Sequence, residues 1–519
     1  MFRPASTPPI RRRRDAAETI CVRGRLRRLQ RMLFPLIGSA LLVSTGCMVG
    51  PKYQRAGAPV PPAYKEIAPE NPQPTAGWKK AQPSDGVPRG KWWEAYSDPE
   101  LNALEEQVSI SNQNVLAAEA QFRQAREAVR IARSSLFPTV TGLTSVVNSR
   151  TSSNLFNVQA GNLTSGVRTT YDLPVDVSYQ ADLWGSIRRG VRGVTATAQA
   201  SAAQLENARL SFQAELARDY FSLHGTDGQQ ELLERTVKSY EDYLQLTKDR
   251  FASGVASGAD VAQAQAQLET TRAQLVDLGV ARAQFEHAIA ILIGKPPSAL
   301  SIRSVAIKSP PPFIPAGVPS DLLERRPDIA AAERQMAALN EQIGIAKAAY
   351  YPALTLGASG GIEAGNIAKW FAWPSRFWSV GPQLAETLFD AGRRHAQVAQ
   401  AQAGYDATVA GYRQTVLTGF QQVEDNLAAL RVLANEARVE DEAVRAANQA
   451  LDISTYQYKA GTVSYLQVIT AQTTALQDQI SAVNILTRRM TASVLLIEAL
   501  GGGWNASLLP AANDLIHGK

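Results

Sequence analysis

Apolar and polar residues alternate with a period of two in two regions of this chain, and each region predicts a pair of strands. Between Thr170 and Trp184 the apolar side chains fall on one face and the polar side chains on the other. Residues 140–148 alternate more weakly, and the pattern returns at 354–362 and 378–388. Strands of this length with one apolar face are typical of a membrane β-barrel. The alternative is one face of a soluble β-sandwich, although four strands among so many helical residues make a poor sandwich.

Long helices are predicted after each strand pair. One helix is predicted at 186–224, and in residues 260–293 and 469–497 apolar side chains recur at the heptad intervals that are typical of coiled coils. Asp98 before Pro99 predicts a helix start, with the helix running to about residue 135. An amphipathic helix of an ordinary bundle is the alternative, but helices of these lengths are uncommon in compact domains.

The chain contains an internal two-fold repeat. Three segments recur in one order at offsets of 205 to 214 residues: Ile131 to Pro138 at Ile345 to Pro352, Leu183-Trp184 at Leu388-Phe389, and Phe251 to Gly254 at Tyr458 to Gly461. A repeat this long indicates two similar halves of one body rather than a solenoid. The predicted division is a first half at 98–294 (strands about 138–184), a proline-rich linker at 295–320, a second half at 321–500 (strands about 352–389) and a C-terminal tail at 501–519.

Four strands cannot close a barrel within one chain. An open sheet edge in lipid leaves backbone groups unpaired at several kcal/mol each, and about eight strands are the practical minimum for closure. The chain is therefore expected to share its strands with other copies. Three copies give twelve strands and two copies give eight, and the strand pattern itself leaves both open.

The charge distribution argues against nucleic acid as a partner. The net charge of the 519 residues is +6, but residues 1–46 alone hold ten Arg against Asp15 and Glu18. The remainder carries 43 basic and 45 acidic side chains. A nearly neutral body has no basic surface for a phosphate backbone.

The N-terminus resembles a bacterial export signal. A basic region ends at Arg31, and the mostly apolar residues 32–46 are too few to span a bilayer but suit a signal peptide. Cys47 after Thr45-Gly46 resembles the lipidated cysteine of a lipobox, although Ser44 replaces the usual Leu. The prediction is a signal peptide at 1–46 and a lipidated, proline-rich tether at 47–97; an ordinary signal peptide is the alternative. No transmembrane helix is predicted in the mature chain.

Several motifs together resemble one known family. They are Gly46-Cys47-Met48-Val49-Gly50-Pro51-Lys52-Tyr53, Trp92-Trp93, Asp98-Pro99-Glu100-Leu101-Asn102, Leu323-Glu324-Arg325-Arg326-Pro327-Asp328-Ile329, Leu388-Phe389-Asp390 with Gly392-Arg393-Arg394, and Leu500-Gly501-Gly502-Gly503-Trp504. In combination they resemble the TolC-like outer-membrane efflux proteins, and specifically the NodT-type lipoproteins of resistance-nodulation-division (RND) efflux systems.

This resemblance implies a mainly α fold with membrane β-strands. Four strands per chain would enter a 12-stranded β-barrel of a homotrimer, which a long periplasmic α-helical barrel continues. The trimer would be the exit duct of a tripartite pump in the outer membrane, a passive conduit energised by an inner-membrane RND transporter and joined by a periplasmic adaptor (membrane fusion protein). The duct of a type I protein secretion system is the second function within the family. A structural coiled coil that spans the envelope and has no barrel is a third class.

The resemblance also assigns roles near two glycines. Gly254 with Val255, and Gly461 with Thr462, would form helix-to-helix tips that contact the adaptor. Asp260, Tyr458 and Leu466 match a periplasmic gate: the tyrosine and the aspartate would hydrogen-bond, and the leucine would narrow the pore. Val463 and Thr470 stand where other members carry an arginine and an aspartate, so the charged part of the gate is depleted here.

No catalytic chemistry is visible in the sequence. HExxH and P-loop patterns are absent from it, and its four histidines are isolated from one another. One GxSxG match, Gly357 to Gly361, lies inside the predicted strand at 354–362 and not at a turn from a strand to a helix. We therefore expect no enzyme activity, no cofactor and no metal. The exported compounds are not encoded in any motif found here.

Overall fold

The structure is a computed structural model that describes residues 48–66, 90–150, 167–317 and 319–517. The predicted signal peptide and Cys47 lie outside the described residues. The described part of the chain divides into two compact units. One unit contains 48–52, 132–150, 167–191 and 341–401, and the other contains 53–66, 90–131, 192–317, 319–340 and 402–517.

Helices dominate the described residues. The α-helices are α1 (Pro99–Ser111), α2 (Gln113–Ser134), α3 (Ser186–Ala252), α4 (Gly258–Leu292), α5 (Leu322–Arg325), α6 (Pro327–Ala348), α7 (Arg393–Lys459), α8 (Tyr465–Ala499) and α9 (Ala512–His517). The strands are β1 (Thr139–Gly142), β2 (Ser145–Arg150), β3 (Val167–Ala181), β4 (Ala353–Ala364) and β5 (Arg376–Ala385).

The internal repeat is reproduced closely in the long helices. Helices α3 and α7 each have 67 residues, and α4 and α8 each have 35. A helix of that greater length extends about 100 Å at 1.5 Å per residue. The predicted end of the first long helix at His224 is wrong, because α3 continues to Ala252. Gly225 lies inside it, where an added Cβ would meet Thr487 Oγ1 at 2.3 Å, so close packing of α8 explains a glycine within this helix.

The strands form one antiparallel sheet in the order β1-β3-β4-β5, with β2 also paired to β3. The predicted first strand is thus divided into β1 and β2, and both keep one register on β3. The register joins the apolar positions of successive strands: Val177 lies opposite Val140 and Ala358, and Ala358 lies opposite Val380. On the other face Asp176 lies opposite Thr141 and Ser359. One apolar and one polar face therefore extend across the sheet.

The helix predicted from Asp98 to about residue 135 starts as expected but is broken once. The Asp98 carboxylate accepts hydrogen bonds from the backbone N–H groups of Glu100 and Leu101 at 2.9 and 3.2 Å, as an N-cap does. Asn112 separates α1 from α2. Its side-chain oxygen caps α2, and its Nδ2 donates to the carbonyl of Leu292 at 2.8 Å.

The largest apolar cluster lies where α1, α3, α4 and α8 meet. Trp92 and Trp93, on a short 3₁₀ turn, are buried against Leu101 of α1 and Phe221 of α3. Helix α8 is long and apolar enough, by length and composition alone, to cross a bilayer. Core helices pass the same test, and α8 contributes the buried side chains of Met490, Val494 and Ile497 to this cluster.

The linker between the two halves is fixed to α3 by one buried carboxylate. Asp227 accepts hydrogen bonds from Arg282 Nε at 2.8 Å and from the backbone N–H of Val305, in the linker, at 3.1 Å. It also pairs with His224 Nδ1 at 2.9 Å. Burial raises the pKa of Asp227, but the hydrogen bonds from His224, Arg282 and Val305 outweigh it and hold that pKa below its ordinary value. Of the predicted C-terminal tail, α9 also packs inward, with Leu515 against Val129 and Ala198.

Candidate functional site

The two tips predicted at glycines are built alike. Helix α3 ends at Ala252 and α4 begins at Gly258, while α7 ends at Lys459 and α8 begins at Tyr465. Gly254 has φ +74° and Gly461 has φ +76°, a conformation that glycine adopts without a Cβ clash. Both glycines are exposed, so the reason for glycine is the backbone turn and not crowding.

Helices α3 and α7 end with the same pattern of backbone hydrogen bonds. The N–H of Val255 donates to the carbonyl of Arg250 at 2.8 Å, and the N–H of Thr462 donates to that of Gln457 at 3.0 Å. These bonds, five residues apart and following a left-handed glycine, form the Schellman motif. Val255 is 64% exposed and Thr462 is exposed as well. The tip residues named from the sequence therefore lie on the surface of this chain.

Asp260 serves the first tip as part of a capping box. Its Oδ2 accepts hydrogen bonds from the backbone N–H and the hydroxyl of Ser257, both at 2.9 Å, and its own N–H donates to Ser257 Oγ at 3.2 Å. Reciprocal bonds of this kind satisfy N–H groups that the first turn of a helix leaves free. Ser464, the N-cap of α8, makes no side-chain cap bond, so the two tips differ in this respect.

Within the single chain, no hydrogen bond joins Asp260 to Tyr458. Tyr458 is only 4% exposed, and within the described residues its hydroxyl has no hydrogen-bond partner. Its ring packs against the ring of Tyr465, with 5.2 Å between the two ring centres. Burial is the main cause that raises the pKa of Tyr465, and the neighbouring tyrosines and, least of all, the charge of Asp260 add to it.

The sequence analysis missed Arg250, the charged side chain that lies over the ring of Tyr458. The guanidinium carbon of Arg250 lies 4.8 Å from the centre of the Tyr458 ring, within the range of a cation–π contact. Arg250 Nη1 also donates to the carbonyl of Lys459 at 3.1 Å. Arg250 precedes Phe251, which the repeat aligns with Tyr458, and that proximity was the available signal.

We name Arg250, Tyr458 and Tyr465 the tip cluster. It packs against an apolar layer from three of the long helices, with Tyr240 and Leu244 of α3, Ala264 and Leu268 of α4, and Val468 of α8. A second contact between α3 and α7 joins the Tyr243 hydroxyl to Thr455 Oγ1 at 3.1 Å. Helices α3 and α4 form one hairpin, and α7 and α8 form another. The two hairpins are thus held together near their turns by the Arg250 cation, several aromatic rings and one pair of hydroxyl groups.

Leu466 is placed differently from its neighbours. Tyr465 and Val468 on the same turn of α8 are buried, whereas Leu466 is 57% exposed. Thr470, one turn further, donates its hydroxyl to the carbonyl of Leu466 at 2.9 Å and is also exposed. A leucine on an exposed helix face is available for contact with other molecules or with copies of itself.

Within the described ranges, no group of three or more His, Cys, Asp or Glu side chains is placed to hold a metal ion. The arrangement consists of two helical hairpins that are joined near their turns by non-covalent contacts of modest strength. Such contacts can be broken and remade without covalent chemistry.

Comparisons with known proteins agree with this picture. The chain is 29% identical over 461 residues to the toluene efflux pump outer membrane protein TtgC of Pseudomonas putida, covering 88% of this chain and 93% of TtgC. It is 30% identical over 476 residues to the solvent efflux pump outer membrane protein SrpC of Pseudomonas putida, covering 90% of this chain and 98% of SrpC. The solved outer-membrane channel OprN superposes with a TM-score of 0.77 at 28% identity, covering 88% of this chain and all of that one.

These likenesses confirm the resemblance and the fold class predicted from the sequence. The model of the family described as outer membrane efflux protein matches residues 104–295 and 318–502, which correspond to the two halves of the internal repeat. The chain belongs to the outer membrane efflux protein family.

Proposed function

We propose that three copies of this chain form the exit duct of a tripartite efflux pump in the outer membrane. The partners are a periplasmic adaptor and an inner-membrane RND transporter, which supplies the energy. The duct itself is a passive conduit and performs no reaction. Relatives named for toluene and solvent efflux favour small molecules over the protein cargo of a type I secretion system.

The open edges and the exposed apolar face of the sheet are the main support for this proposal. Among the described strands, β5 pairs only with β4, while β1 and β2 pair only with β3, so both edges are open. The apolar face is exposed at Val175, Val380 and Trp378. A sheet with an apolar face and open edges fits lipid only when the edges join those of other copies, because unpaired backbone groups cost several kcal/mol each in hydrocarbon.

Lipidation of Cys47 forms part of the proposal, and it is supported by how the adjoining residues pack. The backbone N–H of Val49 donates to the carbonyl of Trp184 at 3.1 Å. Arg189, which is buried, donates from Nη2 to the carbonyl of Pro51 at 3.2 Å and from Nη1 to Glu341 at 2.7 Å. The chain next to Cys47 is therefore fixed beside the end of β3, so an acyl anchor there would enter the membrane at a defined place.

The gate is proposed at the tips. Leu466 side chains from three copies would narrow the pore, and the tip cluster would hold each pair of hairpins in the closed arrangement. Asp260 contributes by capping α4 and not by a bond to Tyr458. Gly254, Val255, Gly461 and Thr462 present the exposed turns to the adaptor, and binding there would compete with the contacts of the tip cluster.

Conductance in planar lipid bilayers tests the proposal. The mature protein, purified in detergent, is expected to insert and to show small basal conductance steps. A variant that removes the proposed constriction, Leu466→Gly, should give larger steps of the same ionic selectivity. Val432→Gly is the matched control, since Val432 is a similarly exposed apolar residue on α7 away from the tips. A protein that stays in solution without detergent and never inserts would contradict the proposal.

A further inference from the structure

One aromatic pair joins the two halves of the repeat beside the sheet. Trp184 follows β3, and Tyr351 precedes β4. Their rings stack with centroids 4.7 Å apart and planes 26° apart. The indole Nε1 of Trp184 also donates to the carbonyl of Pro352 at 2.8 Å. The end of the first strand pair is thus fixed to the start of the second.

The repeat gives each of these positions an equivalent. Leu183-Trp184 corresponds to Leu388-Phe389, and Tyr351-Pro352 corresponds to Phe137-Pro138. In contrast to Trp184, Leu388, Phe389 and Phe137 are left exposed by the part of the chain that the structure describes. Leu388 is 91% exposed, Phe389 is 86% exposed and Phe137 is 63% exposed.

The positions of these residues match the open edges of the sheet. Phe389 follows β5, which forms one edge, and Phe137 precedes β1, which forms the other. Within the chain, the pairing of β3 with β4 accompanies the stacking of Trp184 on Tyr351. By the repeat, pairing of β5 with β1 of another copy would bring Phe389 to Phe137 in the same way.

We infer that Phe389 of one copy packs on Phe137 of the next copy, with Leu388 beside it, and that a second copy of this chain is the occupant of this apolar patch. The inference rests on the proposed assembly of several copies and adds the side chains that make the contact. Stacked aromatic rings with an apolar neighbour provide both buried area and a preferred geometry. The side chain of Phe389 has no N–H group, so this junction lacks the indole hydrogen bond that Trp184 makes, and it is the weaker of the two.

Cysteine cross-linking tests the contact. The double variant Phe137→Cys with Phe389→Cys, in the mature protein in detergent, is treated with a short bis-maleimide. Cross-linked bands are expected at two and three chain masses under denaturing conditions, and none beyond three. The matched control, Trp184→Cys with Tyr351→Cys, should cross-link within one chain and add no band of higher mass. Each single variant controls for reaction with Cys47.

The outcomes separate this inference from the proposed assembly. If the particle keeps the mass of three chains but the double variant yields only single chains while the control pair reacts, lipid or detergent covers the patch and the inference is overturned. A particle of one chain would overturn the assembly as well. Should Phe389→Cys fail to fold, Leu388→Cys with Phe137→Cys is expected to give the same bands, and a lack of them would count equally against the contact.

Discussion

The guanidinium of Arg250 lies over the ring of Tyr458, with 4.8 Å between the guanidinium carbon and the ring centre. The two residues belong to different halves of the repeat and lie at the ends of α3 and α7. Tyr458 is buried, so its ring faces the cation in a partly desolvated place. The contact therefore couples the two hairpins of one chain at the turns that we assign to the gate.

Removing this cation should favour the open duct. A cation–π contact is worth about 0.5–2 kcal/mol, so Arg250→Ala is expected to raise the open fraction roughly two- to thirty-fold. Basal conductance per inserted trimer in planar bilayers measures the effect. Arg250→Lys keeps the charge but loses the planar contact, and an intermediate conductance is expected. Conductance unchanged in Arg250→Ala would mean that the cation does not hold the gate.

Substitutions at Tyr458 separate the ring from its hydroxyl. Because the ring makes the contacts with Arg250 and Tyr465, Tyr458→Phe is expected to leave basal conductance close to that of the unaltered protein. Tyr458→Ala removes a buried aromatic ring, which typically destabilises a fold by about 3–5 kcal/mol, and should raise conductance. A clear increase in Tyr458→Phe would instead support a hydrogen bond between this hydroxyl and Asp260 in the assembled duct.

Asp260→Asn examines the capping role at the first tip. The variant keeps a side-chain oxygen but loses the charge at the helix N-terminus, and Asp260→Ala loses both. We expect Asp260→Ala to raise hydrogen exchange of the backbone N–H groups in the first turn of α4, at a cost of about 1 kcal/mol. Asp260→Asn should lie between the two. Equal exchange in all three proteins would show that the capping box contributes nothing in solution.

Glu105 should make the stability of the protein fall as pH rises above the ordinary pKa of a glutamate. It is fully buried on α1, and among the described residues neither carboxylate oxygen has a hydrogen-bond partner. Burial raises the pKa of Glu105 well above its ordinary value. The folded state therefore holds this proton more tightly than the unfolded state, and stability falls as pH rises towards the pKa of the folded state, by at most about 1.4 kcal/mol per pH unit.

Thermal unfolding of Glu105→Gln provides the measurement. The variant carries no titratable group at this position, so its melting temperature should fall less between pH 5 and pH 9, a window of roughly four units around neutrality. The free energy gained over the unaltered protein should grow with pH. Parallel pH profiles for the two proteins would contradict a buried, protonated Glu105.

The sequence predicted the features that depend on local pattern. The period-two alternation placed the strands to within a few residues, and Gly254 and Gly461 marked the turns because a left-handed backbone needs glycine. The length of α3 was underestimated, since Gly225 reads as a helix end unless the packing of Thr487 against it is known. Arg250 on Tyr458 depends on two hairpins lying side by side, which no local pattern encodes.

The mass of the detergent-solubilised particle tests the central claim most directly. Static light scattering combined with refractive index and absorbance gives the protein mass without the bound detergent. We predict the mass of three mature chains, because the open edges of the sheet must be joined by other copies. A particle that contains a single chain, stable and monodisperse, would contradict a shared barrel and the duct that depends on it.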